Sequence, residues 1–473
     1  MTRKRDYRSG FLQRMVLVFA TVFATLACAL VDVGQSSASE QHPGTAQPAR
    51  TGAFATTLDY VANFYPLWFT YYQSQLGNGN RLVGPERVTP IYKVVVLINV
   101  DTLYASTFLD LTAQPIILII PSTPVTYSIL TLDPYGSVLD VGLEAGTPGT
   151  YALTGPGFSG KLPRGVTRIS FPLNHSTLIF RADKFSASGQ NQIMESDEFR
   201  RSLQMQTLSD YKAGKPAAET LILPVEAFSI PFKTIADQSI ESRPIEFLKQ
   251  LQEAVHAPNT PPFSPSEQAL SDKFDALFGD GSFGDRKALQ FTAGARAAHG
   301  LILDRYLTYR GPTNWIHFTN IGDWGRHVVE RAAITEFCQY CNDIEAAAYY
   351  HAFRDNRGRP LDGTDPRGYV LHIPKSKIPE AKRFWSFTAY TPDAVELVRN
   401  DARKYAVASY TPGLQYNVDG SVTIYLAREL PTGVPEANWL PVPEGSFNIA
   451  LRVYGPEGSV ADNTYVPPGI RKP

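Results

Sequence analysis

The order of hydrophobic periods constrains this chain more than any other feature of its sequence. From Ile91 to Phe180, short β-branched runs dominate: Val94-Val95-Val96-Leu97-Ile98 and Ile116-Ile117-Leu118-Ile119-Ile120 read as buried strands, and Tyr127 to Leu132 alternates. From about Ser188 to Phe353 the apolar spacing changes to that of helices, over Ser188 to Lys212, Pro244 to His256, Ser266 to Phe278, Arg286 to Tyr309 and Trp324 to Tyr350. Strand patterns then return at Tyr369 to Ile373, Phe384 to Tyr390 and Phe447 to Tyr454. A hairpin is expected where Asp419-Gly420 separates Leu414 to Asn417 from Val422 to Tyr425. With 35 Gly and 36 Pro to make turns, this order predicts an α+β multidomain protein. Two β-sandwich-like antiparallel domains are expected, with a helical segment between them.

The N-terminus has a different character. Arg3, Lys4, Arg5, Arg8 and Arg14 precede an uncharged apolar run from Met15 to Val31, and Ser36-Ser37-Ala38 follows. This reads as a secretory signal cleaved near Ala38, and the length of the run also suits a retained membrane anchor. An exported, periplasmic or secreted protein is expected, with no transmembrane segment in the mature chain. The implied boundaries are 1–38 signal peptide, 39–52 flexible leader, 53–235 first β-rich domain with flanking helices, 236–350 helical connector and 351–473 second β-sandwich domain. Pro66 falls inside the helical pattern of Phe54 to Gln75 and is expected to kink or divide it. In the mature chain Cys338 and Cys341 remain; their spacing allows a local disulfide, two thiols, a redox pair or half of a zinc site.

The charge balance, 44 basic against 45 acidic residues, excludes a concentrated positive field and with it a nucleic-acid partner. Gly155-Pro156-Gly157-Phe158-Ser159-Gly160 matches a dinucleotide fingerprint only in its glycines, because Lys161-Leu162-Pro163 cannot open the required helix. There is no phosphate-binding loop, nucleophile elbow or zinc-protease motif, so neither cofactor nor metal is expected.

What remains are polar residues that end or interrupt apolar strands. Asp101 and Tyr104 leave one strand, Asp133 and Tyr135 another, and Arg181 ends a third. If these strands are neighbours, a carboxylate of raised pKa could serve as general acid, with Arg181 clamping an anionic group or neutralising the pair. Asp101 and Asp133 equally suit turn caps. His372, mid-strand between Leu371 and Ile373, is a candidate general base or a satisfied sheet histidine. Trp385 and Tyr390 suit either an aromatic platform or core packing. The expectation is therefore a catalytic set of Asp101, Asp133 and His372 and a substrate-binding set of Tyr104, Tyr135, Arg181, Trp385 and Tyr390.

Phe384-Trp385-Ser386-Phe387-Thr388, Tyr405-Ala406-Val407, Thr411-Pro412-Gly413-Leu414, the run Asp419 to Tyr425, and Asn438 to Pro443 together resemble a DUF1214 domain. Upstream, Phe64-Tyr65-Pro66-Leu67, Asn99 to Tyr104, Tyr127 to Tyr135, and Gly149-Thr150-Tyr151 with Gly155-Pro156-Gly157 resemble its companion, DUF1254. Departures occur at Val100, at Pro134 and Gly136-Ser137, at Arg403-Lys404, and at Ser409-Tyr410. The resemblance implies an α+β architecture and no established activity. The residues favour a cofactor-independent enzyme for a small organic molecule, ahead of a ligand-binding or cell-envelope protein. A small-molecule ligand is the expected partner, and a homo-oligomer is compatible with the sequence.

Overall fold

In a computed structural model the structure describes residues 52–77 and 79–473, so the signal and all but the last residue of the leader lie outside the described residues. Helix α1 spans Ala53–Ser74. The first β region holds β1 (Val83–Pro85), β2 (Thr102–Asp110), β3 (Ile116–Ile120), β4 (Tyr127–Leu132), β5 (Gly149–Thr154), β6 (Thr167–Ser170) and β7 (His175–Asp183). It closes with α2 (Ile193–Ser202), β8 (Gln204–Thr207), α3 (Leu208–Lys212), β9 (Ala218–Glu219) and β10 (Leu221–Leu223). The helical region comprises α4 (Phe232–Ser242), α5 (Pro244–Val255), α6 (Pro265–Phe278), α7 (Asp285–Thr308), the short β11 (Trp315–Ile316) and α8 (Val328–Cys338). The last region is β12 (Ala347–Ala352), β13 (Tyr369–Ile373), β14 (Ala381–Tyr390), β15 (Ala406–Ala408), β16 (Val422–Ala427), β17 (Trp439–Pro441), β18 (Asn448–Pro456) and α9 (Gly458–Ala461).

The α+β reading holds. Sheets ordered β10-β1-β2-β7-β4 and β6-β5-β3-β8-β9 enclose one core, with Leu109, Leu118, Leu153, Leu178 and Phe180 inside. Sheets ordered β11-β12-β18-β14-β15 and β13-β16-β17 enclose a second around Trp385, Phe387, Leu426, Leu451 and Val453. Most pairs are antiparallel; β1 with β10, β5 with β6 and β16 with β17 run parallel.

Helix α1 packs against α5, α6, α7 and α8 rather than on a sheet. It is buried nearly all round, through Tyr60, Phe64, Tyr65, Trp68 and Phe69, as a helix inside a bundle must be. Pro66 leaves it continuous, since burial on several sides outweighs one lost hydrogen bond. Gly294 makes the α1–α7 crossing possible: a Cβ there would stand 2.7 Å from the Phe54 carbonyl oxygen.

Three segments differ from the sequence expectation. Val94 to Ile98 is an irregular loop rather than a strand, because Leu97 adopts φ +52°, which no strand accommodates. The helical pattern of 188–212 is divided by β8, which pairs with β3. The pattern of 324–350 stops at Cys338, where Tyr340 takes φ +62°, and from Ala347 the chain is already strand.

Candidate functional site

Alternation along strands builds the site. On β2, Ala105 and Leu109 point into the first sandwich, so Tyr104, Ser106 and Phe108 point out. On β7, Leu178, Phe180 and Ala182 point in, and Thr177, Ile179 and Arg181 point out. The register sets these as three facing pairs: Tyr104 with Arg181, Ser106 with Ile179, and Phe108 with Thr177. In the second sandwich Ile449, Leu451 and Val453 of β18 point inward, which turns Arg452 and Tyr454 toward the first sandwich. Tyr349 of β12 faces Arg452 in register.

Between these two outer faces lies a cavity of about 140 Å³. The Tyr92 to Asn99 loop and the chain at the C-terminal ends of α1 and α8 form part of its wall. Gln73 binds this wall together: its Nε2 donates to the Val94 carbonyl and to Gln339 Oε1, both at 2.9 Å, and its Oε1 accepts from Gln339 and from the Tyr340 hydroxyl. Beside Arg200, Gly84 lets β1 approach β2, since a Cβ would fall 2.0 Å from the Tyr104 carbonyl oxygen.

Two residues of the wall, Leu97 and Tyr340, hold left-handed backbone, and Leu97 donates to the carbonyl of a third such residue, Val395, at 3.0 Å. Such conformations cost of order 1–3 kcal/mol each and persist only where the surroundings enforce them. Cys338 and Cys341 form a disulfide across this turn, with Cα atoms 5.6 Å apart, which resolves the alternatives their spacing left open.

The charge pattern of the cavity is one-sided. Arg81, Arg181 and Arg452 line it, and no carboxylate or imidazole does among the described residues. Arg181, 5 % exposed, donates to Asn342 Oδ1 and to the Tyr340 carbonyl, each at 2.7 Å, while its Nε–H has no partner. Burial works against its charge, and the side chains of Tyr454, Tyr104 and Tyr349 stand around it. Arg452 donates to the Leu97 carbonyl and to the Tyr390 hydroxyl, and Asn99 donates to the Tyr454 hydroxyl at 2.6 Å. Burial raises the phenols of Tyr92, Tyr104 and Tyr454, so they remain protonated donors.

Of the residues singled out in the sequence, the structure brings Tyr104 and Arg181 together in this cavity. Tyr390 stands one step behind it, donating to the Ile98 carbonyl at 2.7 Å and accepting from Arg452. Asp101 is fully buried where the two sandwiches meet; its Oδ1 accepts from Ser386 at 2.9 Å and from Tyr410, and its Oδ2 has no partner. Asp133 lies apart and caps its own turn, accepting from the Tyr135 and Ser137 amides at 2.9 and 2.7 Å; burial raises its pKa. Tyr135 stacks under Arg331, 4.0 Å away, beside a pocket of only about 20 Å³. His372 sits half-buried in the three-stranded sheet, 3.1 Å from Thr423 Oγ1. Trp385 is in the second core, edge-on to Phe387. Sequence reasoning missed Asn99, Tyr340, Arg452 and Tyr454, although the alternation of Leu451, Arg452, Val453 and Tyr454 was a usable signal.

A second polar cluster lies inside the helical bundle. Asp237 of α4, His299 of α7 and Glu336 of α8 bring ligand-type atoms within 4.8 Å of one another. Lys233 bridges the two carboxylates, donating to Glu336 and, at 2.7 Å, to Asp237, and Tyr65 also donates to Glu336. His299 Nε2 lies 3.2 Å from Asp237 Oδ1 without aligning as a hydrogen bond. Burial opposes the Glu336 charge, yet Lys233 and His299 hold its pKa well below the usual carboxylate range. The same carboxylates, against burial, hold His299 up at about 9. The ammonium of Lys233 already pairs with both carboxylates of this cluster.

Comparison with known proteins agrees with the two β regions. The DUF1254 model, described as a protein of unknown function, matches residues 79–207, and the DUF1214 model, described likewise, matches 346–458. No curated protein matches the chain. The crystal structure of the VPA0106 protein from Vibrio parahaemolyticus is similar over 89 % of this chain and 99 % of its own, at 18 % identity and a TM-score of 0.58, a likeness of fold. A putative uncharacterized protein from Burkholderia cenocepacia aligns at 16 % identity over 88 % of this chain and 94 % of its own, with a TM-score of 0.41.

Proposed function

Starting from a chain that belongs to the DUF1254–DUF1214 family, with a DUF1254 module followed by a DUF1214 module, we propose that the protein is exported and binds a small organic molecule between the two modules. The observation that carries this reading is the cavity itself. It is bordered by strained backbone, lined by apolar side chains, and equipped with a few polar groups, as small-molecule sites are. Its volume is close to the roughly 150 Å³ at which an apolar cavity admits one benzene ring. Export is supported by the basic N-terminus and apolar run, and by the Cys338–Cys341 disulfide, which suits an oxidising compartment. No helix among the described residues is long and apolar enough to cross a membrane.

Binding is favoured over catalysis by the chemistry of the walls. A general base must reach the bound molecule directly or through one water, and neither Asp101, Asp133 nor His372 lines the cavity. The wall phenols are held protonated, which makes them donors rather than bases. Asp101 then acts on the cavity from behind, its charge supporting Arg452.

The test is a ligand-observed NMR screen of single-ring fragments against the full-length protein and its Ser106→Phe variant, which plugs the cavity. Fragments that bind the wild type and are lost from the plugged variant are expected. If every bound fragment stays bound when the cavity is filled, this site is not the binding site.

A further inference from the structure

Resting on that cavity reading, we infer that the ligand is a monocarboxylate with a compact apolar body, its carboxylate seated on the free edge of Arg181. The reasoning begins with an imbalance. A guanidinium removed from water needs a compensating negative charge or a full set of acceptors. Arg181 has neither among the described residues: its acceptors are a neutral amide, a backbone carbonyl and the neutral Tyr104 hydroxyl, and its Nε–H is buried without a partner on a side chain that lines the cavity. Such an unsatisfied donor costs stability, so a ligand oxygen that accepts from it gains affinity.

The surroundings define the partner's shape. Around Arg181, the hydroxyls of Tyr104 and Tyr454 belong to phenols that stay protonated and can donate to a second carboxylate oxygen. The same lining also holds Leu76, Val94, Val95, Phe108 and Phe228, whose side chains offer only hydrocarbon. A dianion such as phosphate would meet one free Nε–H and a few phenols where it needs many donors, and its remaining faces would lie against those apolar side chains. A carboxylate on one ring or a short aliphatic chain matches both the polar and the apolar lining within about 140 Å³.

Titration of the full-length protein with benzoate, hexanoate, their amides and inorganic phosphate tests this directly. Each carboxylate is expected to bind about 10- to 100-fold more tightly than its amide, the range of one charge-assisted hydrogen-bonded pair. Affinity should fall below about pH 4, where the ligand carboxyl protonates. Arg181→Met should abolish the preference for acid over amide while leaving the weak amide binding in place. The acid–amide comparison on the wild type stands without that variant, should it not fold. Equal affinities for acid and amide overturn the carboxylate assignment, as does binding of neither carboxylate while fragments still occupy the cavity. Tighter binding of phosphate than of benzoate, lost in Arg181→Met, overturns it in favour of a phosphate group. A failure of the Ser106→Phe screen is a separate result, since it removes the cavity reading rather than the ligand class.

Discussion

Two buried cations, Arg181 in the cavity and Lys233 in the helical bundle, are treated in opposite ways by the same chain. Lys233 is enclosed by Asp237 and Glu336, with Tyr65 and His299 completing the set. Two basic and two acidic groups meet there, so the cluster is balanced from within. Arg181 is held by neutral acceptors and keeps a donor in reserve. The first arrangement ties α1, α4, α7 and α8 together; the second leaves one buried donor without a partner. Burial of charge by itself therefore identifies neither structure nor function in this protein. The presence or absence of an internal counter-ion does.

The comparison predicts its largest effect at Glu336. Glu336→Gln leaves Lys233 and His299 facing one carboxylate in a buried site, and breaking a buried pair in this way costs about 3–5 kcal/mol. Chemical denaturation should show that loss as a lower midpoint at unchanged slope. A loss under about 1 kcal/mol would mean that the cluster is not the internally balanced lock described above.

Next in size is a pH dependence. His299 is raised to about 9 in the folded protein against about 6.5 in an unfolded chain. A raised histidine stabilises fully below its unfolded value and loses that contribution as pH climbs through its folded one. Stability should therefore decline between about pH 6.5 and 9, by up to about 3 kcal/mol. The decline should flatten in His299→Gln. A wild-type profile that is level over this window would break the assignment of a charged His299 to the cluster.

Arg181→Met should be milder. It strands the Asn342 side-chain oxygen and the Tyr340 carbonyl, but no charge, and costs about 1–3 kcal/mol. If it destabilised the protein as much as Glu336→Gln, Arg181 would be a structural cation after all, and the contrast between the two sites would vanish.

How much of this was readable in advance follows from the range of the interactions involved. The strand runs at Ile116 to Ile120 and Tyr127 to Leu132 carry their period locally, and so does the spacing of the bundle helices. Val94 to Ile98 was misread because a β-branched run says nothing about Leu97 entering left-handed backbone, which is enforced by contacts with Val395 and Arg452 some 300 residues away or more. Tyr104 and Arg181 were legible as polar residues on apolar strands, and β pairing then set them side by side. Asp133 carries the same local signal as Asp101, yet one closes a turn and the other joins two sandwiches, a distinction that only tertiary packing draws. The cluster of Lys233, Asp237, His299 and Glu336 spans three helices, of which only Lys233 and Asp237 share one, so no motif in the sequence announces it.

The smallest expected effect falls on the wall between these two sites. The Cys338–Cys341 disulfide closes a loop of only four residues, so its constraint on the unfolded chain amounts to about 2 kcal/mol or less. Its position matters more than that figure suggests: Glu336 lies two residues before Cys338, and Tyr340, whose carbonyl anchors Arg181, lies between the two cysteines. Cys338→Ser with Cys341→Ser releases Tyr340 from one of the restraints that keep it left-handed. Arg181 should then lose part of its fixed orientation, and carboxylate affinity should fall by several-fold, while the pH profile set by His299 stays as it was. Measuring both on the same double variant separates the sites cleanly. A changed pH profile with unchanged affinity would mean that the turn serves the bundle rather than the cavity.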